Sequence, residues 1–501
     1  MPGPPTVELL SASDAEVRQR RAAGALLARG CTTGDRVAFA LGSSSDLICA
    51  VLGAARVGLI PVLLNATLTA AERDALADDA QPVVRVFDDG ELAALTDDDA
   101  GRPAAASVEL APYPLTRPMH YTSGTTGRPK GVTTGLIDEE TARRVYEDEA
   151  AIWHFDQSDV HLVCSPMYHT VSIRFSTNTL LAGGSLAILS RFDAGTALDT
   201  LRRLRPTTAF LVPTHLQRIL QHPDLGAGET FDSLRLLAHA GAPCPETVKR
   251  ATMARARPGV VWEFYGSTEA QYTVCSPDDW LEHPGTVGRA RPGRRLFLAP
   301  VDPVDPVDPV DRVDEVDPVD LVDEVIWCDQ PDFARFTYWR NPEATAQAWR
   351  GSACTVGDLG RLDEDGFLYL TGRRHDLIIS GGVNVYPAEI ENVLSAVPGV
   401  REVAVFGVPD EQWGQRVCVA YVADTADTGG STSSGSRAVA DLESALRFAA
   451  ADRLAPYKRP KDYIVAGDLP HTATGKLIRR AVPEHLGLKT EPGGRPRPVA
   501  G

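Results

Sequence analysis

The sequence predicts an α/β fold built on parallel sheet and divided into more than one domain. Three observations lead there. Short apolar runs of strand length alternate with helix-like segments, the pattern of α/β layering. The chain has 501 residues, and at roughly 100–200 residues per domain that suggests two to four domains. The hydrophobic fraction is 43% and the charged fraction 23%, the balance of a soluble globular protein with real cores.

Residues 36–41 form a β-like run closed by Gly42. Residues 50–58 read as helix, 60–64 as strand and 67–80 as helix after a threonine start. Strand-like runs return at 160–164, 184–189, 208–212 and 234–238. The most apolar stretch, 47–64, is interrupted by Arg56 and Pro61, so no membrane span is expected. Met1-Pro2-Gly3-Pro4-Pro5 has neither a basic start nor a following apolar core, so no secretory signal is expected and the protein reads as cytoplasmic.

The net charge is −17, which argues against nucleic-acid and anionic-lipid partners, since both need a basic face. Much of it is local. Residues 301–324 repeat Val-Asp-x and carry eight Asp and two Glu against Arg312, an extended polyproline-like loop in which no packed helix can form. Residues 424–436, rich in Gly, Ser and Thr, read as a flexible loop, and 488–501 as a disordered tail. The eight cysteines are scattered without a C-x-x-C pair, as expected of reduced, mostly buried thiols. Only six of the 50 basic residues are lysine, at 130, 249, 458, 461, 476 and 489. In so arginine-rich a chain those positions point to a need for the compact ammonium.

The strongest local signal is Tyr121-Thr122-Ser123-Gly124-Thr125-Thr126-Gly127-Arg128-Pro129-Lys130-Gly131. Glycines let the backbone turn tightly and present N–H groups, while hydroxyls and a lysine add donors and charge, the equipment for cradling a polyphosphate. It is not a Walker A loop, because Gly475-Lys476 is followed by leucine. This segment resembles the phosphate loop of the ATP-dependent adenylate-forming superfamily: acyl-CoA synthetases, adenylation domains and luciferases. Further segments resemble that family's signatures in order. They are 263–269 (Glu-Phe-Tyr-Gly-Ser-Thr-Glu), 355–358 (Thr-Val-Gly-Asp, with Val356 extra or substituted), 372–376 (Gly-Arg-Arg-His-Asp), 379–387 (Ile-Ser-Gly-Gly-Val-Asn-Val-Tyr-Pro) and 474–476 (Thr-Gly-Lys). The match runs from about residue 30 to 482 and is closest to the acyl-CoA ligases.

The resemblance implies a large N-terminal domain of layered α/β subdomains (1–373), a hinge (374–376) and a small mobile α+β C-terminal domain (377–487). It implies ATP, Mg²⁺ and CoA as cofactors and co-substrate. ATP contacts fall to Thr122, Ser123, Gly124, Thr125, Thr126, Gly127, Lys130, Gly241, Ala242, Pro243, Glu263, Phe264, Tyr265, Gly266, Ser267, Thr268, Asp358, Arg373 and Lys476. Thr126 and Glu269 hold the metal, Tyr265 stacks on adenine, and Asp358 with Arg373 grips the ribose. The catalytic set is Lys476, Thr268, Glu269 and His169, the last as an aromatic gate. Ser380, Gly381 and Gly382 line the thiol tunnel. His375 occupies the hinge position where the family has Asp or Lys; it is either an inert surface residue or a modest bias on domain orientation.

The acyl pocket follows by the same resemblance from His169, Ile173, Arg174, Val212, Ala238, His239, Ala240, Gly241 and Gly266. Its small residues suit a bulky acid, aryl or alicyclic. Arg174 either meets a second polar group on the substrate or pairs outward. Residues 166–172 lack the aspartate that pairs with an amino acid's ammonium, which disfavours α-amino acids. CoA is the default acceptor because no carrier domain follows Lys476; a free-standing carrier protein stays open, as do amide formation, a non-catalytic binding role, a homodimer and a downstream acyltransferase partner.

Overall fold

The protein is described by a computed structural model covering residues 5–97, 108–122, 129–226, 228, 230–300, 324–373, 376, 378–380, 383–385, 387–410, 414–424, 432–454, 456–471 and 477–488. It is a mixed α/β chain with a large N-terminal and a smaller C-terminal domain. By compactness it divides into one unit of residues 1–295 with 328–354 and another of 296–327 with 355–501.

The first unit holds two six-stranded sheets. One orders its strands Val7–Ser11, Ser185–Leu189, Val160–Val163, Thr208–Leu211, Leu236–His239, Val261–Glu263. Its pairs are parallel except at the edge, where Val7–Ser11 runs antiparallel to Ser185–Leu189. The other runs Thr337–Tyr338, Lys130–Thr133, Met119–Thr122, Ile60–Leu63, Arg36–Phe39, Val84–Val86. Helices bind the two together in one core. Val37, Phe39 and Leu63 of the second sheet and Leu10, Val163, Leu186 and Ile188 of the first share a buried cluster with Leu26, Leu47, Val51 and Ile173.

Local sequence explains these elements. The helix Ser45–Arg56 starts where the Ser44 side chain accepts a hydrogen bond from the Leu47 N–H, and Ala70–Ala80 starts at a full capping box of Thr69 and Glu72. Gly53 lets Ser45–Arg56 press on Ala12–Ala28, since a Cβ there would lie 2.4 Å from the Gln19 carbonyl oxygen. The expected helix 50–58 therefore begins earlier, and the expected strand 234–238 is shifted to Leu236–His239.

In the second unit, Asp358–Leu362 and Leu368–Arg373 form an antiparallel pair, with Glu324–Val325 beside Leu359–Gly360. A further sheet orders Val383–Val385, Ile378–Ser380, Gly414–Ala423, Val400–Asp410, with Asp462–Val465 parallel to Gly414–Ala423. The helices Pro387–Ser395 and Thr432–Arg453 contribute Ile390, Leu394, Leu446 and Ala450 to its core. Two sequence expectations need correction. The loop expected over 424–436 gives way to helix at Thr432, where Ala and Leu content takes over further along. Leu488, expected to open the tail, is buried with Val482 and Phe406, and residues 489–501 lie outside the described residues. The repeat 301–323 lies outside the described residues.

All eight cysteines are free and seven are buried. Among the described residues no helix is long and apolar enough to cross a membrane.

Candidate active site

Strand pairing builds the first part of the site. Met119–Thr122 and Lys130–Thr133 form a hairpin with Thr122 opposite Lys130, and the residues joining them, Ser123 to Arg128, include the predicted phosphate-loop positions Ser123, Gly124, Thr125, Thr126 and Gly127, which lie outside the described residues. Gly131 is fixed by packing: a Cβ there would stand 2.2 Å from the Met119 Cε and 3.2 Å from the Trp339 Cβ. The strand Thr337–Tyr338 pairs on the outer side of Lys130–Thr133. This brings the Tyr338 ring to 5.1 Å from the Lys130 ammonium, within cation–π range.

The second part is a tight turn after the strand Val261–Glu263. Gly266 and Gln271 bridge, the Ser267 N–H donates to the Ala270 carbonyl at 2.8 Å, and the Glu269 N–H donates to Ser267 Oγ at 3.2 Å. Only glycine fits at 266, where a Cβ would meet the Ala270 carbonyl oxygen at 2.6 Å. The turn aims Glu269 at Tyr338, whose hydroxyl donates to Glu269 Oε1 at 3.0 Å. Burial, and then the nearby Glu269 charge, push the Tyr338 phenol well up, so it stays a donor. Lys130, Tyr338 and Glu269 thus form one assembly.

Beside the turn lies a cavity of about 160 Å³. Ser267, Thr268 and Glu269 border it, as do Thr170, Ile173 and Arg174 of the helix Thr170–Leu181. Its wall also carries Arg117, Asp148, Glu149, Arg291 and Arg294. Arg291 donates to Glu149 Oε1 at 2.7 Å and to Asp148 Oδ2 at 2.6 Å, and Arg294 grips Asp148 with two bonds of 2.7 and 2.8 Å. Burial works against the Glu149 charge, yet Arg174, Arg291 and Arg117 outweigh it and hold its carboxyl at about 2.

His169 caps the same helix without a side-chain bond; its ring lies 4.3 Å from that of Tyr168, and its Nε2 is buried without a hydrogen-bond partner. Burial, then the neighbouring His120, lower its pKa to about 4, so it is neutral at physiological pH.

The family model described as AMP-binding enzyme matches residues 7–308, and that described as AMP-binding enzyme C-terminal domain matches residues 389–476. The chain belongs to the AMP-binding enzyme family. A feruloyl-CoA synthase from an Amycolatopsis species is 32% identical, covering 94% of this chain and 92% of its own. The fatty acid–[acyl-carrier-protein] ligase ScoC of Streptomyces coeruleorubidus is 31% identical, covering 92% and 88%. The ATP-bound crystal structure of MatB from Rhodopseudomonas palustris aligns with a TM-score of 0.77 and 31% identity over 94% of this chain and 92% of that one. This AMP-binding enzyme is an ATP-dependent acid–thiol ligase, AMP-forming, with ATP, Mg²⁺ and CoA as cofactors and co-substrate.

Within that family frame the predicted residues separate. Lys130, Ser267, Thr268 and Glu269 gather around Tyr338 and the cavity, with Ile173 and Arg174 on the cavity wall. Val212, Ala238, His239, Ala240, Gly241 and Gly266 do not line that cavity. Ala238 and His239 are fully buried, Ala240 nearly so, and Gly241 turns the chain with φ of +90° beside Ala242 and Pro243. The Glu263 carboxylate, expected near ATP, is buried in an ion pair with Lys249, and His239 Nε2 is 3.8 Å from it. Phe264 packs in an aromatic cluster with Trp153, Phe175 and Phe210. Tyr265 is buried and meets Tyr272 edge-on at 5.4 Å.

In the other unit, Asp358 and Arg373 are register partners across adjacent strands, and Ser380 is buried opposite Val383 and Gly414. His375, Gly381, Gly382 and Lys476 lie outside the described residues. Asp376, beside the hinge position, pairs with Arg479, which also holds Glu391.

Sequence reading missed Tyr338 and the Arg117–Asp148–Glu149–Arg291–Arg294 wall. Tyr338 stands 69 residues from Glu269, and no local spacing announces the contact.

For Mg²⁺, the described residues hold no cluster of three or more His, Cys, Asp or Glu. One hydrogen-bonded carboxylate, Glu269, fits an ion that usually takes one or two protein oxygens and fills its shell with phosphate and water.

Proposed function

We propose that this enzyme is a two-step acyl-CoA synthetase. A carboxylic acid, aryl or alicyclic, attacks the α-phosphate of ATP to give acyl-AMP and pyrophosphate; the CoA thiol then displaces AMP to give acyl-CoA. The observation that carries the reading is the Lys130–Tyr338–Glu269 assembly, whose Glu269 borders the cavity.

The first step brings two anions together while charge builds on phosphorus. Cations and N–H donors already aimed at that charge lower its barrier. Lys130 and the N–H groups of residues 123–127 bind the phosphates, and Lys476 joins the acyl carboxylate to the nucleotide in the transition state. Mg²⁺ supplies bridging charge to the phosphate oxygens when bound. Tyr338 fixes the Glu269 carboxylate by donating to Oε1, and Asp358 accepts from the ribose hydroxyls with Arg373 beside it. Neutral His169 closes the acyl side against water.

For the second step, the small domain (377–487) turns about residues 374–376, withdrawing Lys476 and inserting 380–387 to form the thiol path. The protein works in the cytoplasm, where ATP and CoA are available. A second reading, transfer to a free-standing acyl carrier protein, is supported by the similarity to ScoC.

ATP–pyrophosphate exchange across aryl, alicyclic and fatty acids tests adenylation, followed by addition of CoA or carrier protein with mass detection. Acyl-CoA is the expected product. Thioester formed only on carrier protein replaces the first reading with the second, and no exchange with any acid rejects both.

A further inference from the structure

The cavity beside Thr268 and Glu269 carries an excess of positive charge. Four guanidinium groups border it, Arg117, Arg174, Arg291 and Arg294, against three carboxylates, Asp148, Glu149 and Glu269. The carboxylates are largely taken: Asp148 by Arg291 and Arg294, Glu149 Oε1 by Arg291, and Glu269 Oε1 by the Tyr338 hydroxyl. Arg174 reaches Glu149 Oε2 only at 3.5 Å, and its Nε and Nη2 are buried without a hydrogen bond. Arg117, half-buried, has no hydrogen bond and no ion pair within 4 Å among the described residues, although it borders the cavity. The cost shows in both groups. Burial lowers the Arg117 pKa to about 10 and lowers that of Arg174, with Glu149 opposing the shift in each.

The wall also has an apolar part, including Val51, Leu52, Val132, Ile137 and Phe336, beside neutral polar groups such as Thr116, Asn178 and Gln330. A cation facing an occupied cavity without a partner is unfavourable, and a wholly apolar occupant would leave it so. An occupant with an apolar body and an anionic tip satisfies both surfaces. The volume limits its size: a cavity of roughly 150 Å³ admits benzene, so about 160 Å³ suits one ring or a short chain.

We propose that this cavity is the tail subsite of the acyl pocket, that it selects acids bearing a second carboxylate at the far end, and that Arg117 receives that carboxylate. The inference rests on the synthetase reading for its reaction, and on the cavity alone for its ligand chemistry. Arg117 acts on specificity and takes no part in the bond exchange at phosphorus.

The test uses matched pairs of acids: benzoate and terephthalate, 3-phenylpropanoate and 4-(2-carboxyethyl)benzoate, hexanoate and adipate. KM is read in pyrophosphate exchange and Kd by titration calorimetry on the full-length protein. In at least one pair the dicarboxylate is expected to show a KM and Kd about tenfold or more lower than its partner, since a site built for a polar group discriminates strongly. Arg117→Met collapses that ratio, and Arg117→Lys, which keeps the charge, retains part of it. Equal or better binding of the monocarboxylate in every pair overturns the proposal. So does an Arg117→Met protein that keeps the ratio, or whose KM for ATP rises as much as that for the acid. Should no acid support exchange, the synthetase reading fails by itself, because the calorimetric ratio and its response to Arg117→Met still decide the subsite.

Discussion

The Tyr338 hydroxyl donates to Glu269 Oε1 at 3.0 Å while its ring lies 5.1 Å from the Lys130 ammonium. One side chain thereby sets both a carboxylate expected to hold metal and a lysine expected to hold phosphate. Tyr338→Phe keeps the ring and deletes the hydroxyl. A hydrogen bond to a charged group is worth about 1.5–3 kcal/mol, so pyrophosphate exchange should fall roughly 10- to 100-fold, with a higher Mg²⁺ requirement. Exchange measured against Mg²⁺ and ATP checks this; an unchanged Mg²⁺ dependence assigns Tyr338 to packing.

Lys249 is 1% exposed and pairs with the buried Glu263 carboxylate, joining the helix Glu246–Met253 to the strand Val261–Glu263. Removing one partner of a buried pair leaves the other charge uncompensated, at a cost of about 3–5 kcal/mol. Lys249→Met should lower the urea midpoint accordingly, and adding Glu263→Leu should restore most of it. A single substitution as stable as the wild type rules out the pair as a structural tie. This ion pair also accounts for one of the six lysines in an arginine-rich chain.

The alternation of strands and helices was legible because runs such as Arg36–Phe39 and Ile60–Leu63 are short, apolar and bounded by turn residues. The first strand and helix escaped notice. Ala12–Ala28 buries mostly alanine against Ser45–Arg56, and small residues in close contact leave a weak apolar stripe. The adenylation motifs were legible as ordered segments, since glycines and hydroxyls at fixed spacing do local work. Glu263 sits inside such a motif, yet its carboxylate is paired with Lys249, which spacing does not reveal. Tyr338 meets Glu269 and Lys130, and Arg117 meets the cavity, only through residues distant in the chain, and a periodicity has no access to such placements.

Four histidines, His120, His161, His215 and His239, are buried in the neutral form, and the half-buried His169 joins them. Burial is the leading cause in each, lowering His120 and His169 to about 4, His161 and His215 to about 3, and His239 well below its usual value. Unfolding releases these rings to an ordinary pKa near 6.5, so between that value and about 4 the unfolded chain binds more protons. Stability then rises with pH across that window and is fully present above about 6.5. Glu149, held at about 2, adds its own loss only below about 4.5. Melting temperatures should therefore drop already between pH 6.5 and 4.5, and His161→Gln should flatten that part of the curve. A profile level down to pH 4.5 contradicts the neutral burial of these rings.

In the proposed mechanism Lys476 separates the two half-reactions. It is needed while the carboxylate approaches ATP, because it neutralises charge that exists only in that transition state. In that scheme, once the acyl-adenylate has formed and the small domain has turned, the thiol attacks a carbonyl and the lysine has left. Lys476→Ala should thus lower pyrophosphate exchange by about 10²–10³ or more, the usual cost of losing such a group. Acyl-adenylate supplied from outside should still be converted to thioester by Lys476→Ala at close to the wild-type rate. Single-turnover assays of each half-reaction on the same preparation make the comparison. Equal loss of both steps contradicts the domain-alternation mechanism, and loss of neither places the catalytic cation elsewhere.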